Sequence, residues 1–135
     1  MGVYHQSTLL KTFETGEQTS EALPTIFKSI LDEFQPQKLF FARGPGSFMA
    51  IKISYIFLKT MSISLSIPLK ACDGFAFNHN GPIRAMRNLY FVKKEQEIVT
   101  ERFEMAIEQQ FDLPHVLDES LFSDDIEPLY LLPAV

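Results

Sequence analysis

A chain of 135 residues, 46% hydrophobic and 21% charged, suits one compact domain or two small lobes around a core of ordinary size. Its formal net charge of −5 argues against wrapping a nucleic-acid backbone, because phosphate affinity comes from many Lys and Arg contacts that release counterions. The single cysteine, Cys72, excludes an intramolecular disulfide, and its apolar setting after Leu69 to Ala71 reads as that of an inert core thiol.

In chain order, Val3 to His5 and Leu9 to Phe13 are short β-branched or aromatic runs separated by Gln6-Ser7-Thr8 and closed by Gly16, a hairpin pattern. Leu23, Ile26, Phe27, Ile30, Leu31 and Phe34 then recur at helical spacing behind the cap residues Thr19 and Ser20, predicting an amphipathic helix over 20–34 with Pro24 in its first turn. Pro36 ends it, and Lys38 to Ala42 is an apolar run suited to a buried strand. Arg43-Gly44-Pro45-Gly46-Ser47 breaks the strand, and Ser47 can cap a second helix that is apolar around most of its circumference, from Phe48 through Ile51, Ile53, Ile56, Phe57, Leu58 and Met61. Met61 to Ile67 alternates strictly, so periodicity alone reads it as a strand.

Pro68 is a stop, Leu69 to Cys72 a candidate strand, and Gly74 to Phe77 a short helix before the turn His79-Asn80-Gly81-Pro82. Leu89 to Lys93 and Ile98 to Phe103 flank the polar Lys94-Glu95-Gln96-Glu97 as a second hairpin. Glu104 to Phe111 suits a short helix, Asp118 to Glu127 a solvated acidic connection, and Leu129 to Leu132 a final apolar run. The basic residues Arg84, Arg87, Lys93 and Lys94 are followed at once by Glu95 and Glu97, which reads as a solvated hairpin rather than an RNA-binding patch. His5, His79 and His115 lie far apart with no ligand spacing, so no metal is expected. No uncharged apolar run reaches about 20 residues and Met1 to Gln6 lacks signal-peptide regions, so a cytoplasmic protein without a membrane is expected.

The order hairpin, helix, strand, glycine turn, long helix, Pro-Leu strand resembles the TsaB (YeaZ) family. The residues that carry the likeness are Ser20-Glu21-Ala22-Leu23-Pro24 at the start of the first helix, Gly44-Pro45-Gly46-Ser47-Phe48 opening the second, Ile67-Pro68-Leu69 at its exit and Pro128-Leu129-Tyr130-Leu131 near the end. The likeness is good over about 17–77. It implies that Met61 to Ile67 continues the long helix. It implies an α/β fold of the actin-like, ribonuclease H-like (ASKHA) type, with an N-terminal lobe at 1–77 and a reduced C-terminal lobe at 78–135.

There are departures. Met49, Ala50 and Ile51 replace the family's Thr-Gly continuation, and only Lys52 keeps its basic character; Ala85-Met86-Arg87 lacks the aspartate of an Asp-Ala-Arg stretch. The first strand of the fold, which would carry an acidic residue, has no counterpart, so unpaired backbone groups are expected in mid-sheet unless the sheet closes differently or Met1 is a false start.

Gly-Pro-Gly-Ser before a helix admits either an anion site or a structural turn, but Pro45 removes one donor and no Gly-Lys-Ser follows. Ser47 lacks a histidine base readable from the sequence, and Met49 breaks Gly-x-Ser-x-Gly. Catalytic residues, metals and cofactors are therefore expected to be none, with a nucleotide at a partner interface left open. The resemblance implies a non-catalytic scaffold that docks on TsaD, the enzyme thought to transfer threonylcarbamoyl to adenosine beside the anticodon of tRNA, or on a second copy; TsaE, an ATPase, would be an indirect partner. A self-associating protein and a vestigial ATPase or peptidase are the alternatives. The expected interface is the helix pair, at Ser20, Leu23 and Phe27 on the first helix and Phe48, Lys52, Tyr55 and Lys59 on one side of the second.

Overall fold

The computed structural model describes residues 1–13 and 19–129. Strands β1 (Gly2–His5) and β2 (Thr8–Thr12) form the expected antiparallel hairpin. Gln6 and Ser7 both adopt positive φ, as a two-residue turn between right-twisted strands requires. Gly16, the expected close of this unit, lies outside the described residues. Helix α1 (Thr19–Glu33) follows, one residue earlier than its pattern suggests, and this leaves Pro24 in the second turn rather than the first.

A β-α-β unit comes next: β3 (Leu39–Ala42), α2 (Phe48–Leu65) and β4 (Leu69–Cys72), with β3 and β4 parallel and paired from Leu39↔Leu69 to Ala42↔Cys72. Ser47 caps α2 by accepting the amide of Ala50, and Ser66 ends it in the left-handed conformation. The alternating Met61–Leu65 segment is helical because Met61 and Leu65 turn toward the core while Ile63 stays outside. Phe27 from α1, Leu58 from α2 and Leu39, Phe41, Leu69 and Ala71 from the strands make one core cluster. Among the described residues, α2 is by length and a mean hydropathy of 1.4 apolar enough to cross a membrane, although at 18 residues with Lys52 and Lys59 it is not an uncharged run of about 20. Its two ends are nevertheless tied to strands that pair residue for residue with each other.

The third sheet is antiparallel, β5 (Ile83–Met86), β6 (Leu89–Lys94) and β7 (Glu97–Arg102), with β6 central. The hairpin β6–β7 matches the sequence reading. Strand β5 was not foreseen, although Ile83 to Met86 before the turn at Arg87-Asn88 alternates weakly. A 3₁₀ turn at Gly74–Phe77 joins the units, and its Phe75 packs with Ile83 and Phe91 under this sheet.

Two expectations fail in the C-terminal part. Glu104 to Phe111 is not a helix. Its polar groups bond outward instead: the Ile107 backbone N–H donates to Tyr90 Oη at 2.9 Å, and the Gln109 side-chain Oε1 accepts from the Arg84 backbone N–H at 3.0 Å. Burial raises and hydrogen bonds lower the Tyr90 hydroxyl; the bond from Ile107 leads, joined by that from Arg84, so its pKa lies below the ordinary tyrosine value.

Nor is 118–127 a solvated connection throughout. Val116 bridges to Thr8 on β2, Ser123 exchanges both backbone bonds with Ala71 on β4, and Leu117 and Phe122 are buried between them. Phe122 stacks edge-on against Phe40 at 4.8 Å, in a cluster that also takes Tyr4, Cys72 and Phe77. The hairpin and the β-α-β unit thus form separate sheets, with residues 115–123 bonded to both. Of the final run, only Leu129 lies within the described residues; its N–H donates to the Arg43 carbonyl.

Candidate docking interface

The long helix sets the geometry. Only Ile51 and Leu58 of α2 are buried, one heptad apart on its inner side. Directly opposite, Met49, Ile56 and Ile63 are 59%, 53% and 70% exposed and also recur every seventh residue, so they make a straight apolar stripe on the outside. Lys52 and Lys59 flank that stripe, each folded back over the ring one turn before it, Phe48 at 6.0 Å and Tyr55 at 5.7 Å. A single sheet face cannot use a helix apolar all round, and here the surplus is left outward.

Helix α1 packs against the flank of α2 through Phe27 and Phe57, whose rings meet edge to face at 5.5 Å. Between the helices runs an open groove of about 370 Å³, lined by Pro24, Phe27, Leu31, Phe57 and Met61 and edged by Lys28 and Asp32. Leu31 is partly exposed at its margin.

The structure divides the residues proposed for this interface. Lys52 and Lys59 are exposed, and Phe48 and Tyr55 are half-buried, Tyr55 lying 6.5 Å from Phe41 of the core. Leu23 and Phe27 are buried by the chain itself, with Phe27 inside the helix–sheet cluster. The side chain of Ser20 lies outside the described residues. Sequence reasoning missed Met49, Ile56 and Ile63, although their seven-residue spacing was legible.

The glycine turn is tied to the elements on either side of it. Gly44 O accepts from Gly74 N at 2.8 Å, and Ser47 Oγ accepts the Ala50 amide. Gly44 also has φ +109°, and a Cβ there would lie 2.8 Å from Ile51 Cδ1 and 3.2 Å from Leu129 O. Gly44→Ala is accordingly expected to cost about 1–3 kcal/mol of stability, read as a lower urea midpoint.

A second, smaller cavity of about 200 Å³ lies at the end of β4, among Cys72, Asp73, Phe75, Asn80, Lys93 and Leu121. Asp73 Oδ1 caps the Phe75 amide while its Oδ2 takes Lys93 Nζ at 2.6 Å, fastening β6 to the β-α-β unit. Burial first, then the Asp73 charge, push the Cys72 thiol up to about 12. At pH 8 it is a thiol, not a thiolate, so iodoacetamide is expected to label it only after unfolding, as mass spectrometry would show. The sign follows: an unfolded Cys72 ionises first, so this residue's contribution to stability fades as pH rises from about 9 toward 12.

The basic cluster of the third sheet is largely spent internally, with Lys93 on Asp73, Lys94 on Glu101 and Arg84 on Tyr90. Among the described residues no group of three His, Cys, Asp or Glu could hold a metal ion.

No protein-family model matches this chain, and no curated protein matches it. Solved structures do. The chain is similar to YeaZ from Pseudomonas aeruginosa, with TM-score 0.58 and 16% identity over 81% of this chain and 65% of that one. It is likewise similar to an uncharacterized protein described as having similarity to peptidase YEAZ from Pseudomonas aeruginosa, with TM-score 0.55 and 14% identity over 81% of this chain and 64% of that one. The mixed helix–strand fold is therefore shared with YeaZ, as the TsaB resemblance implied. The chain spans slightly less than two thirds of the length of either structure.

Proposed function

We propose that this chain is a divergent TsaB-type subunit. It would have an actin-like fold and act without catalysis of its own as a scaffold in the cytoplasmic threonylcarbamoyl-transfer complex that modifies tRNA. Its partner is TsaD, docked on the α1–α2 face, with TsaE bound indirectly and no cofactor held by this chain. The observation that carries the reading is the outward stripe of Met49, Ile56 and Ile63 beside an apolar interhelical groove, on a fold shared with YeaZ.

Docking is favoured over an enzymatic reading by the way the polar groups are used. The Ser47 hydroxyl is spent on a helix cap, Asp73 on a cap and a lysine, and Cys72 is held as a thiol. Net negative charge and paired basic residues leave the tRNA to the partner.

The test is co-expression with TsaD from the same organism, followed by size-exclusion chromatography with light scattering. A stable one-to-one complex is expected, with no ATP turnover by the isolated chain. A chain that elutes apart from folded TsaD at every concentration defeats the proposal.

A further inference from the structure

Five lysines, Lys11, Lys38, Lys70, Lys93 and Lys94, each reach a carboxylate. The remaining three, Lys28, Lys52 and Lys59, reach none among the described residues, and all three lie on the helix pair. Lys28 edges the groove, while Lys52 and Lys59, one heptad apart, flank the Met49–Ile56–Ile63 stripe. In a chain of net charge −5, Lys28 shares its groove edge with Asp32, whereas Lys52 and Lys59 stand beside the exposed apolar stripe with no carboxylate in reach among the described residues. Helix α2 itself carries two cations and no carboxylate.

We propose that this face selects a helix of another protein that presents Asp or Glu one heptad apart alongside an apolar seam, in preference to a second copy of this chain. The inference rests on the docking reading and adds the chemistry of the partner. An α2-on-α2 dimer would bring four ammonium groups to one seam, and like charges facing each other are how helical interfaces reject wrong partners. A carboxylate-bearing helix removes that penalty and gives Lys52 and Lys59 acceptors that their own chain does not supply. Because both lysines stay at the margin of the apolar seam, they choose and steer the partner, and burial of Met49, Ile56 and Ile63 supplies the adhesion.

The test uses the full chain and its Lys52→Glu/Lys59→Glu variant, whose substitutions are exposed and leave the core untouched. Association is measured for the two like pairs and the mixed pair at low and high salt. The mixed pair is expected to associate about tenfold more tightly than either like pair at low salt, with the preference shrinking as salt screens the charges. Three pairings of equal strength overturn the proposal.

Against TsaD, the variant is expected to bind about tenfold more weakly than the native chain. Equal binding of both forms overturns the acidic-helix assignment and leaves the docking reading intact. Binding of neither, with the mixed-pair preference preserved, removes TsaD as the partner and supports the charge selection. Co-sedimentation of the native chain, but not the variant, with phosphatidylglycerol vesicles would assign the face to a lipid surface and overturn the proposal.

Discussion

Ile56→Asp is expected to abolish association with TsaD while the isolated chain keeps its fold. Ile56 is 53% exposed at the middle of the outward stripe, so the free chain loses little packing. The helix-propensity cost of Asp at an exposed site is below about 1 kcal/mol, and Lys52 and Lys59, four residues before and three after, partly offset it. In a complex the same carboxylate would be buried in an apolar seam facing the partner's own acidic groups. An unpaired buried charge costs about 3–5 kcal/mol, which weakens association by two orders of magnitude or more. Isothermal calorimetry with a parallel thermal melt separates the two effects. Unchanged affinity would remove this stripe from the interface.

Tyr55→Asp, the substitution that helical spacing alone recommends, is less suitable. Tyr55 is half-buried against the core near Phe41, so a charge there disturbs the fold as well as the face.

Phe122→Ala is expected to destabilise the chain by about 3–5 kcal/mol, a large part of the roughly 5–15 kcal/mol that a domain of this kind possesses. The ring is buried in the cluster with Cys72 and Leu117 and stacks on Phe40. Removing it leaves a cavity where the C-terminal segment crosses between the hairpin and the β-α-β unit, and a fall in melting temperature on the order of 10 °C should follow. Leu121→Ala is the control, since its neighbouring side chain is 57% exposed and should cost less than about 0.5 kcal/mol. Equal effects of the two substitutions would mean that 117–123 is not part of the core.

The first 77 residues were largely legible because each signal there is local. Ser47 caps α2, Pro36 and Pro68 mark helix stops, and the α1 stripe from Leu23 to Ile30 buries as its spacing requires. Met61–Leu65 shows the limit, since alternation favours a strand and the hydrogen bonds of a helix already under way prevailed. The C-terminal part was misread for the complementary reason. Glu104 to Phe111 has helical composition, but Tyr90 and Arg84 engage its polar groups, and nothing near it in sequence announces them.

The sequence by itself determined two helices, a β-α-β unit closed by a glycine turn, two hairpins and an acidic chain with one inert thiol, because caps, turns and periodicity act over a few residues. Only the tertiary structure decided which side of α2 faces outward. A helix apolar around its circumference gives no preferred side, and the choice of Ile51 and Leu58 for the core, leaving Met49, Ile56 and Ile63 outside, is made by the β3–β4 surface on which it packs. The same holds for Leu117 and Phe122, whose burial depends on backbone pairings with Ser7 and Ala71, more than 50 residues away along the chain.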